Sequence, residues 1–325
     1  MKKTVLLLLI LLLIPTVFAK HGHIKLLAVS ETDSGYKGET ADLYLELKRG
    51  SGRVFLDTFP FTKLDTQMST RFAKEIACNY LDIDCDNFDF IYTIKAQSAI
   101  IGGPSAGAAI TVLTIALLDN LKLQENVTIT GTINSGGIIG PVGGVKEKID
   151  AGASSGMNII LIPKGERFLM EETFDMRRKD LYEILNITIT EDDVNQTENH
   201  TIDLVEYGTE KGVRVIEVST IDDVLQLMTN KKIMQPEKPL EVSPVYLDTM
   251  KLLAEQLCNR STKLSGKLDP GTLSNESFNI FYQAQNLTDK GRETFADRLY
   301  YSSASYCFGS NVQYEYLNLL MKNKI

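Results

Sequence analysis

Three side chains in this 325-residue sequence have the types and settings that covalent acyl chemistry uses. Ser105 stands in Gly103-Pro104-Ser105-Ala106-Gly107, between glycines and at the expected start of a helix. Free N–H groups and the positive end of the helix dipole gather at such a point, so the backbone of Ser105 and Ala106 could hold an oxyanion. A serine there is equally suited to the ordinary role of an N-cap. Lys148 belongs to Val145-Lys146-Glu147-Lys148-Ile149-Asp150-Ala151-Gly152, where positions 145, 148, 149 and 152 share one helical face. The spacing predicts Lys148 inside, on the apolar stripe, with Lys146 and Asp150 outside as an i,i+4 pair. A lysine becomes a general base near neutrality when its pKa falls about three units from ~10.4, and burial is the usual cause. A side chain that snorkels past the stripe needs no such shift. Thr130 is expected mid-strand, on the hydroxyl face of the alternating run Val127 to Ile133, where it could orient an amine. It would serve equally as a plain β-branched strand residue.

The elements that must position these groups follow from the pattern of apolar residues. Ile24 to Val29, Ala41 to Leu47 and Arg53 to Leu56 read as strands, and residues 67–81 as a helix with Met68, Phe72, Ile76 and Leu81 on its stripe. A short strand over Phe90 to Ile94 precedes the Gly102-Gly103-Pro104 break, and an apolar helix is expected from about Ser105 to Leu121. After the alternating run comes a glycine-rich stretch, then a helix from about Val145 and a buried-type strand over Asn158 to Pro163. Residues 165–210 are charged and read as an irregular insertion or a flexible surface lobe. Val213 to Val218 is another strand and Ile221 to Met228 a helix. Pro236, Pro239 and Pro244 mark a linker, beyond which the chain is mainly helical. The fold class is therefore α/β, followed by a smaller C-terminal helical domain.

Composition narrows the function classes. Apolar residues at 43% and charged residues at 23% describe a globular chain rather than a disordered or fibrous one. The formal charge of −8 and the lack of a basic run exclude nucleic acid as an expected partner. Three histidines and no Cys/His cluster of ligand spacing give no expectation of a metal or other cofactor.

The N-terminus reads as a signal peptide over residues 1–19: Lys2 and Lys3, an apolar run from Val5 to Phe18, and small residues at Val17 and Ala19. About 14 apolar residues span only ~21 Å as a helix, short of a ~30 Å bilayer core. A retained leader would instead tether the protein to a membrane. Export fits the cysteines, which fall in two local pairs, Cys78 with Cys85 and Cys258 with Cys307. It also fits seven Asn-x-Ser/Thr acceptors, at Asn126, Asn186, Asn195, Asn199, Asn259, Asn275 and Asn286. The expected location is extracytoplasmic, secreted or at the cell surface.

Taken together, Gly103-Pro104-Ser105-Ala106-Gly107, Thr130-Gly131 and Gly140-Pro141-Val142-Gly143-Gly144-Val145-Lys146-Glu147-Lys148 closely resemble the proteolytic domain of the Lon proteases. The resemblance spans about residues 25–230, interrupted by the 165–210 insertion, and implies a proteolytic domain over 20–235; the linker and the helical spacing beyond it give the helical domain over 236–325. It implies that Ser105 is the nucleophile, Lys148 the base and Thr130 the residue that contacts it. The expected activity is that of an ATP-independent serine endopeptidase acting on unfolded proteins or peptides. Lon proteolytic domains assemble into rings, so the resemblance allows a homo-oligomer.

Two departures stand out: Gly102 lies where the family often has an acidic residue, and Thr132 replaces the glutamate of Thr-Gly-Glu. No Gly-x4-Gly-Lys-Ser/Thr phosphate loop occurs in the sequence, so ATP is not an expected partner. Two other readings use the same residues. Gly103-x-Ser105-x-Gly107 fits the nucleophile elbow of an α/β-hydrolase-type esterase, for which His200 is the sole downstream histidine. A secreted binding protein could also keep this fold without activity.

Overall fold

The computed structural model describes residues 19–32, 35–101, 103–134, 136–171, 200–229 and 244–322. The leader, most of the expected insertion with Asn186, Asn195 and Asn199, and Pro236 and Pro239 of the linker lie outside the described residues.

Alternation builds the first sheet. β1 (Lys20–Thr32), β2 (Gly35–Arg49), β3 (Val54–Thr62) and β4 (Phe88–Ile101) stand in the order β1-β2-β4-β3, with β3 parallel to β4 and the other neighbours antiparallel. Leu43, Leu45 and Leu47 of β2 and Phe90, Tyr92 and Ile94 of β4 present one face at period two, and all six are buried. That face packs on α2 (Gly107–Leu118), whose residues from Gly107 to Leu117 are all buried. A helix apolar on every side belongs in an interior, which explains its lack of a polar stripe.

α1 (Leu64–Leu81) packs beside α2, but not by the expected stripe. Met68 and Phe72 are exposed, whereas Thr66, Ser69, Thr70, Ala73 and Ala77 are buried. Small side chains let the two helix axes approach closely, and Thr70 hides its hydroxyl on the Thr66 carbonyl at 2.7 Å. The Cys78–Cys85 disulfide ties the end of α1 to the turn before β4.

The second sheet is parallel. β5 (Val127–Ile129), β8 (Ile159–Pro163) and β11 (Arg214–Val218) stand in the order β11-β8-β5. β6 (Thr132–Ile133) and β7 (Ile139–Gly140) form a hairpin after β5, and α3 (Val145–Ser154) makes the crossover from β5 to β8. Val145 and Ile149 of α3 join Ile160, Ile162, Val213 and Val215 in a core of their own.

The described parts of the expected insertion, residues 165–171 and 200–210, carry regular structure. β9 (Phe168–Glu171) and β10 (His200–Asp203) pair as an antiparallel ribbon, and α4 (Leu204–Glu210) follows. Asp203 caps α4 through the Val205 N–H and chelates the Arg167 guanidinium, so both ends of the segment are anchored where composition showed only charge. α5 (Ile221–Thr229) then packs back onto the first core.

The C-terminal helices are α6 (Pro244–Ser265), α7 (Asn275–Ala296) and α8 (Tyr300–Met321), around a core of Leu264, Leu268, Phe281, Ala284, Tyr314 and Leu317. Cys258 of α6 is bonded to Cys307 of α8. Asn259 and Asn286 lie within these helices rather than in loops, Asn275 opens α7, and Asn126 sits in the turn before β5. No described helix is long and apolar enough to cross a membrane.

Candidate active site

A parallel β–α–β unit fixes where the site can form. The crossover helix runs opposite to its strands, so the first turn of α3 lies at the carboxyl end of β5 and β8. Lys148 is in that turn, Thr130 is the residue after β5, and Glu166 follows β8 by three residues. This edge is where open α/β sheets place ligands.

Thr130 is not mid-strand. The alternating run breaks after Ile129, and the chain turns toward the serine segment. Thr130 N–H still donates to the Leu161 carbonyl at 3.0 Å, the last rung toward β8. Gly131 then donates to the Ser105 carbonyl at 2.9 Å and accepts from Ala108 N–H at 3.1 Å. These two bonds strap the serine turn to the end of β5. They outweigh two further rungs of a regular strand, which no local alternation could reveal. Both sides of β5 are buried, so its hydroxyls are not on a wet face: Thr128 donates to the Lys25 carbonyl at 2.5 Å.

Ser105 is half-buried in a 3-10 turn (Pro104–Ala106), and the α-helix proper begins only at Gly107. Gly103, at φ 103°, takes a conformation that other residues rarely adopt and swings the chain into this turn. Its N–H donates to Asp65 Oδ2 at 3.0 Å, while Asp65 Oδ1 accepts Thr66 N–H at 2.7 Å. A carboxylate thus does reach the serine turn, from the first turn of α1 rather than from position 102. The N–H groups of Ser105 and Ala106 belong to the opening turn, where no earlier helical carbonyl can accept them.

Lys148 is 2% exposed, and Val145, Ile149 and Gly152 on the same face are also buried or in the core. Gly144 sets up this turn: it sits at φ 66°, and a Cβ there would come within 2.7 Å of Val29 Cγ1. Its carbonyl accepts Lys148 N–H at 3.0 Å, the first bond of the helix. Lys146 and Asp150 are on the outer side, where Asp150 pairs with Lys211 at 3.0 Å and accepts the Tyr207 hydroxyl at 2.7 Å. Lys146 lies over the Tyr207 ring, 5.6 Å from its centroid.

Burial, the largest influence, lowers the Lys148 pKa from 10.5 to about 8, against the opposing charges of Glu166 and Glu147. Thr130 is 1% exposed, and its Oγ1 has no hydrogen-bond partner among the described residues. A buried hydroxyl without a partner costs about 1–3 kcal/mol, so its retention at this edge calls for a group to hold. Asp65 and Glu166 are the residues that sequence reasoning missed. His200 pairs through its backbone with Glu171 in the β9–β10 ribbon. Among the described residues no cluster of His, Cys, Asp and Glu could hold a metal ion.

Residues 86–198 match the C-terminal proteolytic domain of Lon protease (S16), an interval that contains Ser105, Thr130 and Lys148. The chain is 31% identical over 129 residues to a Lon protease of Paraburkholderia phytofirmans, covering 34% of this chain and 16% of that protein. Against a Lon protease of Azospirillum brasilense it is 31% identical over 144 residues, covering 44% of this chain and 14% of the other. Against one of Phenylobacterium zucineum the identity is 41% over 75 residues, 22% of this chain and 10% of the other. The matches thus span well under a fifth of the length of these relatives.

Proposed function

We propose, from the premise that this chain carries a Lon-type proteolytic domain, that it is a serine endopeptidase working through Ser105 and Lys148. The observation that carries this reading is the setting of Lys148. It is a buried amine whose pKa is drawn down to about 8, at the same sheet edge as a serine turn strapped to Gly131 and a threonine hydroxyl with no partner among the described residues. An ordinary surface-seeking lysine would not be left there, because a buried ammonium is costly unless it is paired or neutral.

In the proposed reaction neutral Lys148 accepts the Ser105 hydroxyl proton as Oγ bonds to the substrate carbonyl carbon. The carbonyl electrons move onto oxygen, where the N–H groups of Ser105 and Ala106 meet them. Collapse breaks the C–N bond, and the Lys148 ammonium returns the proton to the departing amine. Water, deprotonated by Lys148, then attacks the acyl ester, the bond from the acyl carbon to Ser105 Oγ breaks, and Lys148 returns the proton to that oxygen. Thr130 accepts or donates at the amine and keeps it aimed.

ATP independence is part of the proposal, supported by the lack of any phosphate-loop pattern in these 325 residues. Unfolded chains and peptides are the fitting substrates without a motor. An extracytoplasmic location is supported by the two disulfides and the leader-like N-terminus. Hydrolysis of casein and short peptides without nucleotide, abolished by Ser105→Ala and Lys148→Ala but kept by Lys146→Ala, is the expected result. Equal hydrolysis by the Ser105→Ala protein would end the proposal.

A further inference from the structure

Glu166 is 6% exposed in the turn after β8, yet its partners come from a distant part of the chain. The Tyr306 hydroxyl of α8 donates to Glu166 Oε1. Lys290 of α7 faces the same carboxylate and also lies over the Tyr306 ring, 5.7 Å from its centroid. Glu217 of β11 faces Glu166 from the sheet while accepting the Gly165 N–H at 2.7 Å, and Glu293 of α7 faces Tyr306. Glu166 stands at the same carboxyl edge as Lys148, and its negative charge, like that of Glu147 on the helix of Lys148, raises the Lys148 pKa. The helical unit is seated here by further contacts: Tyr246 bonds with the Asn134 side chain, and the Tyr301 ring lies against Gly140. The hairpin and glycine-rich stretch before Lys148 are therefore the seat of the helices.

We infer that Tyr306 and Glu166 are positioning residues through which the docked helical unit sets the proton affinity of Lys148. The inference rests on the reading of Lys148 as the base. A buried carboxylate stays ionised only if donors and cations hold it, and of those facing Glu166 both Tyr306 and Lys290 belong to the helical unit. Burial, the largest influence, leaves the Glu166 pKa raised overall and Glu217 adds to the rise, while Lys290, the Tyr306 hydrogen bond and Lys148 hold it down. Glu166 in turn raises the Lys148 pKa against burial. Removing the Tyr306 hydroxyl makes Glu166 easier to neutralise, Lys148 then loses a facing negative charge, and it releases its proton at lower pH. The docked helices hold the base back on the acid side, and their loosening frees it.

The test uses Tyr306→Phe, Glu166→Gln and the double variant, each near-isosteric, with near-UV dichroism and thermal melting as checks of folding. Both single variants should move the acid limb of the kcat/KM profile down, Glu166→Gln by up to about one pH unit and Tyr306→Phe by no more, so that activity at pH 6 rises by up to about tenfold. The double variant should move it no further than Glu166→Gln alone, because Tyr306 acts through Glu166. Carbamylation of Lys148 by cyanate across pH, read by peptide mass spectrometry in a Ser105→Ala background, should show the same shift without relying on turnover. An unmoved labelling midpoint in both folded single variants would overturn the inference, as would a further shift on adding Tyr306→Phe to Glu166→Gln. Shifted labelling in a protein that hydrolyses nothing would uphold the coupling and sink the peptidase reading instead.

Discussion

The Gly131 N–H donates to the Ser105 carbonyl at 2.9 Å, which ties the serine turn to the residue that follows Thr130. That bond joins the loop after β5 to the turn before α2, and the crossover helix brings Lys148 to the same edge.

From this arrangement follows a pH dependence. Lys148 must be neutral to accept a proton, and with a pKa of about 8 only about a tenth of it is neutral at pH 7. In the free enzyme log kcat/KM should therefore rise with unit slope up to about pH 8 and flatten above it. Peptide hydrolysis measured from pH 5.5 to 9.5 checks this. A limb centred near pH 6.5, the range of a histidine, would point to another base.

Thr130 gives a second expectation. Its hydroxyl is buried without a partner among the described residues, so Thr130→Val should fold normally and gain up to about 1 kcal/mol in urea unfolding. If the hydroxyl orients the amine, the same change should lower kcat about tenfold or more while KM stays within twofold. A valine variant of full activity would leave Thr130 with no part in catalysis.

Asp65 accepts the Gly103 N–H at 3.0 Å and fixes the approach to Ser105 from outside the serine segment. Asp65→Ala would leave that N–H without its partner and loosen the turn, while Asp65→Asn keeps an acceptor oxygen. Activity should fall roughly tenfold in the alanine protein and recover largely in the asparagine one. Steady-state kinetics on both variants decide whether the acceptor or the negative charge matters: an asparagine protein as poor as the alanine one would assign the effect to charge.

What could be read ahead of the structure was whatever local period and chemistry dictate. The stripe Val145, Lys148, Ile149 and Gly152 is a 3.6-residue pattern that holds wherever the helix packs, and the two cysteine pairs needed only proximity. Thr130 was placed mid-strand because alternation runs unbroken to Ile133, while the break is imposed by bonds to Ser105 and Ala108. Helical spacing puts Met68 and Phe72 on the apolar stripe of α1, but the packing of α1 on α2 buries Ser69, Thr70, Ala73 and Ala77 instead. Glu166 gave no signal at all: it is one carboxylate in a charged stretch, and the helix that buries it arrives 140 residues later.

Stability offers a test of the buried amine that needs no substrate. Lys148 binds its proton less tightly in the folded protein, with a pKa of about 8, than in the unfolded chain at 10.5. Between those values the unfolded chain carries more protons, so this group makes stability rise with pH across that window. Below about pH 8 the full penalty is present, of about 3 kcal/mol, and above 10.5 it vanishes. Lys148→Met keeps the length of the side chain and removes the charge. The variant should exceed the parent by up to about 3 kcal/mol at pH 7, with the gap shrinking steadily toward pH 10.5. Urea unfolding of both proteins at pH 7, 8.5 and 10 measures it. A gap that does not change with pH would mean that this amine meets water and is not held in the interior.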